Sequence, residues 1–352
     1  MSTLAATNLK HASSASNNIV LDSSGNATFA GTPVPNSSFL RNRIINGNMY
    51  IAQRATSATV TAGTGVPTAS AGYPAVDRFF VYSTGANVTA AQVSGSGSNR
   101  NLFRITGAAA VTAVGVGQRI EAVNSYDLAG QTCTLSVDLA NSVLTTVTWT
   151  ANYATTTDTF GTIGTPSKTQ IATGTFTVTS TLTRYSVNIS VPSAATTGIE
   201  TLFTVGAQTS GTWDIGNVQF EAGSAATPFE RRQYGQELAL CQRYYEKSYN
   251  INTVPGSSSD SLRFEGLIAF TKPVSSFNEE FTTRFSVGKR SSTTVVVFNP
   301  DTGASGGYRD FTNSVNRTGI SILDAGTSGF KALITDAVQE GGGFQFTAAA
   351  EL

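Results

Sequence analysis

Between residues 130 and 220 apolar and polar positions alternate with period two. Cys133, Leu135, Val137 and Leu139 form one such row, Tyr185, Val187, Ile189 and Val191 another, and Val143–Trp149 a looser one. That period puts one side of each segment on a core and the other toward water, which predicts antiparallel strands. The row Trp213, Ile215, Val218 and Phe220 slips by one residue at Gly216-Asn217, the signature of a β-bulge. Turn residues punctuate the rows at Ser94–Asn101, Asp127–Gln131 and Gly161–Ser167. From about Phe229 the period changes. Tyr234, Leu238, Cys241 and Tyr245 fall on one stripe of a helix whose entry Pro228 fixes. Beyond Asn250 the strand pattern returns at Leu262–Phe270, Thr282–Val287, Thr294–Phe298 and Phe344–Thr347. Val274–Phe281 predicts a helical turn capped by Ser275 or Ser276, with Glu279 and Glu280 in its first turn. Near the start, Ile19–Leu21, the turn DSSGN and Ala27–Phe29 predict a short hairpin, which needs neighbours to be stable.

The expected fold class is therefore mostly β. It comprises an extended N-terminal segment (1–38), an antiparallel jelly-roll-like β-sandwich (39–228), a connecting amphipathic helix (229–249) and a second, smaller β domain (250–352). Composition agrees: with 40% apolar residues the chain is no solvated linker, and with 352 residues it can bury two cores. The 22 basic and 22 acidic residues cancel, so no polyanion is attracted and no nucleic-acid partner is expected. There is no 18-residue apolar run, so no membrane insertion is expected, and the N-terminus lacks the apolar stretch of a secretory signal. No heptad run is present, so copies of the chain would assemble through the N-terminal segment and the β modules.

Catalytic and cofactor chemistry finds little footing. The single histidine, His11, lies in the polar N-terminal segment, which argues against histidine triads and multi-histidine metal sites. Cys133 and Cys241 read as small buried hydrophobes. No phosphate-binding loop is present, since Gly115–Arg119 is too short and lacks the lysine. No catalytic residue, metal or cofactor is expected, although the turn Asp301–Gly303 is of a type that holds Ca²⁺. Paired carboxylates are the remaining enzymatic route, and Asp77, Asp138, Asp214, Glu221, Glu279 and Glu280 supply the residue type. Plainer roles compete, such as an ion pair between Asp77 and Arg78.

A sugar needs a flat aromatic against its apolar face and amide or carboxylate groups for its hydroxyls. Tyr308, Arg309, Asp310 and Phe311 beside the loop at 299–307, and Asn152 and Tyr153 beside TTTDTF, supply those types. The competing reading is that aromatic residues at strand ends cap the sandwich. Likewise Arg231 and Arg232 either reach a neighbouring subunit or satisfy acceptors nearby.

The order of strand, VQFEAGSAATPFERR and QELALCQRYYEKSY, with FLRNRIINGNMYIAQRAT (Phe39–Thr56), YPAVDRFFVY (Tyr73–Tyr82) and FQFTAAAEL (Phe344–Leu352), resembles a module of tail fibres and other virion proteins of tailed bacteriophages. The resemblance implies a carbohydrate-binding-like β-sandwich, a trimer and a place on the virion. The expected function is a non-enzymatic tail fibre or receptor-binding subunit. Residues 1–38 would attach to a tail or capsid protein, and the β modules would meet a host surface glycan. The alternatives are a head fibre or capsid-decoration protein and, third, a glycan-degrading tailspike.

Overall fold

The structure, a computed structural model, describes residues 7–10, 12–13, 15–21, 27–29, 32–33, 40–63, 72–258, 263–272, 278–335 and 340–352. It is mostly β, built from antiparallel sheets with two short helices.

Near the N-terminus β1 (Asn8–Leu9), β2 (Ile19–Leu21), β3 (Ala27–Phe29) and β4 (Thr32–Pro33) form a small sheet in chain order. β2 and β3 pair as the hairpin pattern expects, Ile19 opposite Phe29. The turn between them, and His11, lie outside the described residues.

The sandwich uses β5 (Ser57–Val60), β6 (Phe80–Thr84), β7 (Val88–Ser94), β8 (Asn101–Thr106), β9 (Ala113–Ile120), β10 (Thr132–Asn141), β11 (Thr146–Ala154), β12 (Lys168–Thr177), β13 (Thr183–Ser190), β14 (Ile199–Val205) and β15 (Thr212–Ala222). One sheet runs β13-β10-β15-β8-β7-β5 and the other β12-β11-β14-β9-β6, so the chain repeatedly crosses between layers. The alternating rows explain the packing. Cys133, Leu135, Val137 and Leu139 of β10 and Trp213, Ile215, Val218 and Phe220 of β15 meet Val147, Trp149, Phe203 and Val116 from the facing sheet. On the outer face of the second sheet, β9 carries glycine where β6 carries rings. A Cβ on Gly115 would collide with the Tyr82 ring, and one on Gly117 with that of Phe80.

A four-residue helix, α1 (Ala122–Ser125), follows β9, and α2 (Tyr234–Gln242) follows β15. α2 is shorter than the apolar stripe predicts. Phe229–Gln233 is irregular, Tyr234 is exposed, and Tyr245 already belongs to β16 (Tyr245–Lys247). The face of α2 that packs inward carries Cys241 and also Glu237. That carboxylate is tolerated inside because it accepts from the main-chain N–H of Asn46 (2.6 Å) and pairs with Arg232 (3.2 Å). Among the described residues no helix is long and apolar enough to cross a membrane.

The remaining strands are β17 (Ile268–Lys272), β18 (Glu279–Arg284), β19 (Thr294–Phe298), β20 (Gly307–Asp310), β21 (Val315–Thr318), β22 (Ile320–Ala325), β23 (Gly329–Ile334) and β24 (Glu340–Ala349). β24 is the spine: its first half pairs with β17 and β20, its second with β16 and β19. Their core is aromatic, gathering Phe270, Tyr308, Phe330, Phe344 and Phe346. Glu279, Glu280 and Phe281 lie in strand β18 opposite β23, which overturns the expected helical turn there; Ser275 and Ser276 lie outside the described residues.

Candidate functional site

The outer face of the six-stranded sheet carries a cleft that the bulge creates. Asp138 of β10 faces Gly216 and Ser136 faces Gln219, so opposite Val137 the partner strand β15 spends both Asn217 and Val218. Val218 returns to the core, while Asn217, in the left-handed region at φ 43°, turns its amide outward beside Asp138. A Cβ on Gly216 would approach Asn99 Oδ1 to 2.4 Å and Leu102 Cδ2 to 2.6 Å, so any larger residue would displace the Asn99 amide from Asp138.

The Asp138 carboxylate is the hub. It accepts from Asn99 Nδ2 (2.8 Å), Asn217 Nδ2 (2.9 Å) and Arg184 Nη1 (3.1 Å), and Arg184 Nη2 also donates to Ser136 Oγ (2.6 Å). Above this floor opens a cleft of about 620 Å³ walled by Ser98, Arg184, Asn217, Thr227, Phe229 and Arg231. The Arg231 guanidinium lies 5.7 Å from the Phe229 ring and donates to the Ser98 carbonyl. The Asn217 Oδ1 is buried and accepts no hydrogen bond from the described residues.

The far wall is stapled by Glu221. Its carboxylate is fully buried and accepts from Thr227 N (2.9 Å), Thr227 Oγ1 (2.6 Å) and Gln219 Nε2 (2.8 Å), folding the turn after β15 back over the sheet. Gln219 then accepts from Glu230 N (2.8 Å), which sets Phe229 and Arg231 at the rim. The arrangement offers a half-exposed ring and an exposed guanidinium, groups suited to a hydroxyl-rich ligand, while the Asn217 amide stays buried in the floor. Among the described residues that line the cleft, Asp138 is the one carboxylate.

The residues proposed from sequence lie elsewhere and are not brought together. Tyr308 is fully buried, its ring 5.4 Å from that of Phe270, so it cannot stack on a sugar. Asp310 is also fully buried and accepts from Arg317 Nε (2.8 Å) and Asn313 Nδ2 (2.8 Å). Arg309 pairs with Asp301 (3.1 Å), which Arg263 also engages (2.5 Å). Two guanidinium groups thus occupy the turn suggested for Ca²⁺. Phe311 stays half-buried and stacks on the exposed Phe264 (5.9 Å, 22°), leaving an aromatic platform that the sequence pattern did not reveal. On the sandwich, Asn152 is buried against Glu200 (3.2 Å), and Tyr153 packs against the core.

Three other candidate carboxylates, Asp214, Glu280 and Asp77, are engaged too. Asp214 pairs with Arg104 (2.7 Å) and Glu280 with Lys331 (3.0 Å). Asp77 does not pair with its neighbour Arg78. It accepts from Gln53 N (2.9 Å) and Nε2 (2.5 Å), and burial pushes its carboxyl above the ordinary range. Among the described residues no group of three or more His, Cys, Asp or Glu side chains is placed to hold a metal.

Arg78 instead reaches across to Glu351, which also pairs with Arg54 (3.1 Å). The Arg78 guanidinium lies 3.4 Å from the Tyr244 ring, and Arg54 lies 3.7 Å from that of Tyr245. Arg119 bridges Glu200 (3.0 Å) and the main-chain oxygen of Leu352 (2.8 Å). The stretches 40–56, 73–82, 229–245 and 344–352 therefore converge on one charged junction between the sandwich and the strands around β24.

No protein-family model and no curated protein matches the sequence. Solved structures are similar in part. The enzymatically active domain of tailspike protein 4 of bacteriophage CBA120 shares 16% identity over 52% of this chain and 21% of that chain, with a TM-score of 0.29. A CBM4 module shares 12% identity over 51% of this chain and 98% of its own, with a TM-score of 0.32. The C-terminal family 22 carbohydrate binding module of Clostridium thermocellum Xyn10B shares 13% over 42% and 89%, with a TM-score of 0.30. This chain thus spans only a small part of the tailspike. These are likenesses to a β-sandwich and carry neither ligand nor residue role over to this chain.

Proposed function

We propose that the chain is a non-enzymatic, receptor-binding structural subunit of a tailed-phage fibre that holds a host surface glycan in the cleft of the six-stranded sheet. The observation that carries this is the cleft itself. A bulge, a non-glycine residue at positive φ and a stapled turn are combined to hold Phe229, Arg231 and Asn217 around open space. In this reading the small sheet β1–β4, with Leu9, Val20 and Leu21 exposed, belongs to the virion-facing end, and copies of the chain assemble as a homotrimer in the particle. Asp138 serves as a fixed acceptor that orients Asn217 and Arg184, not as an acid or nucleophile.

The test is binding of purified full-length protein to host cells, with competition against phage infection, beside labelling of the chain on intact particles. The reading expects cell binding, protection from infection and label at the tail. Label spread over the head would favour the capsid-decoration alternative. New reducing ends or unsaturated products on incubation with host polysaccharide would show a tailspike enzyme.

A further inference from the structure

We infer that the cleft of the six-stranded sheet selects an acidic saccharide, one whose carboxylate or phosphate is held by Arg231 and Arg184. The inference rests on the reading of that cleft as the glycan site and adds the charge of the sugar. Basic and acidic residues cancel over the whole chain, 22 against 22, but they do not cancel in the cleft. Its lining carries two guanidinium groups, and Asp138, the one carboxylate among the described lining residues, is spent on the floor. Asp138 pairs with Arg184 and accepts from Asn99 and Asn217, and its side chain is 8% exposed where that of Arg184 is 32% exposed. The cation therefore faces the opening and the anion lies beneath it.

Arg231 has no such counterion: among the described residues no carboxylate pairs with it. It is nonetheless held in place, because Nη2 donates to the Ser98 carbonyl and the Phe229 ring lies 5.7 Å from the guanidinium carbon. Those two contacts restrain a long side chain that would otherwise sample many rotamers, and they leave Nε and Nη1 without an acceptor among the described residues. The same Ser98 carbonyl accepts from Asn217 Nδ2 (3.4 Å), and the main-chain carbonyl of Asn217 accepts from Arg184 Nη1. Both guanidinium groups are thus anchored through one residue of the bulge. Paired N–H donors on such a group match two oxygens of a carboxylate or phosphate. A cleft with protein walls also concentrates the field of an uncompensated charge.

The test is equilibrium binding of the full-length protein to acidic oligosaccharides prepared from the host surface, before and after reduction of their carboxyl groups and, separately, removal of their phosphate esters. We expect the untreated form to bind about tenfold or more tightly than a form that has lost the anion, and the treatment that causes the loss names the anion. The preference should shrink as salt is raised. Arg231→Gln should reduce it to about threefold or less, and Arg284→Gln, which removes one positive charge from an exposed position of β18, should keep it. A wild type that binds treated and untreated forms equally would overturn the inference and leave the glycan reading standing. A preference that Arg231→Gln leaves intact, or that Arg284→Gln removes equally, would also overturn it. Binding to none of these forms would overturn both the inference and the glycan reading.

Discussion

The two outer faces of the sandwich use the same chemical groups to different ends. On the six-stranded sheet a carboxylate, a guanidinium and two amides (Asp138, Arg184, Asn99 and Asn217) floor an open cleft. On the five-stranded sheet Glu200, Arg119, Lys168 and Asn152 make a similar but more buried cluster, flanked by Phe160 and the Leu352 carbonyl and bordering a second cavity of about 470 Å³ that Arg54, Tyr73 and Glu351 also line. Burial decides the difference. A sealed ion pair is costly to break because the partner left behind stays out of water, whereas an open one is partly screened. The more buried cluster belongs to the joint with the end of the chain, whereas Arg184 in the cleft stays 32% exposed.

Substitutions should separate the two faces by magnitude. The largest effect is expected at the joint. Arg78→Ala takes one of its two guanidinium partners from Glu351, removes the cation from the Tyr244 ring and empties a buried site, and should cost about 3 kcal/mol in chemical denaturation. A loss below about 1 kcal/mol would mean that the joint is not held by these charges.

The joint should also impose a pH dependence that the cleft does not. Burial lowers Lys247 from 10.5 to about 8, and its Nζ donates to the carbonyls of Ile251 and Thr253. Between those pH values the unfolded chain holds a proton that the folded chain has released, so stability should rise with pH by up to about 3 kcal/mol. Lys247→Met should flatten this rise. Above pH 10 the sign reverses. Burial pushes Tyr73, Tyr244 and Tyr245 up to about 12, so their contribution is lost as pH climbs through that range. Denaturation midpoints across pH 7 to about 12 check both limbs.

A smaller effect is expected at the floor of the cleft. Asp138→Ala leaves two amides and Arg184 without their acceptor and should cost about 1–3 kcal/mol, because water reaches Arg184. The smallest is expected at the rim. Phe229→Ala and Arg231→Ala should change stability by no more than about 0.5 kcal/mol, since both side chains face the opening. If rim variants unfold the protein as readily as joint variants, the contrast between the faces is wrong.

Much of the fold was legible because strand alternation is a local property. The rows of β10 and β15 face the core as their period demands, and the phase slip at Gly216-Asn217 is the bulge. The helix was less legible. Glu237 is satisfied inside by the Asn46 main-chain N–H, almost 200 positions upstream, as well as by Arg232, and no helical stripe can announce the distant partner. The candidate site was hardly legible at all. Asp138, between Val137 and Leu139, is outward by alternation, but Asn99, Arg184 and Asn217 join it only through sheet order. Tyr308 failed for the complementary reason: a strand-end aromatic reads the same whether its ring points inward or outward, and here it points inward. Phe311 kept a surface role only because Phe264, on a turn 47 residues earlier, happens to lie against it.

The most direct test of the glycan-binding cleft is equilibrium binding of the full-length protein to oligosaccharides prepared from the host surface, with wild type, Phe229→Ala and Arg231→Ala measured side by side. The account predicts saturable binding by wild type and a loss of about tenfold or more in each rim variant, with unfolding midpoints unchanged. Binding that survives both substitutions, or is absent in wild type while the protein still attaches to host cells, would contradict it.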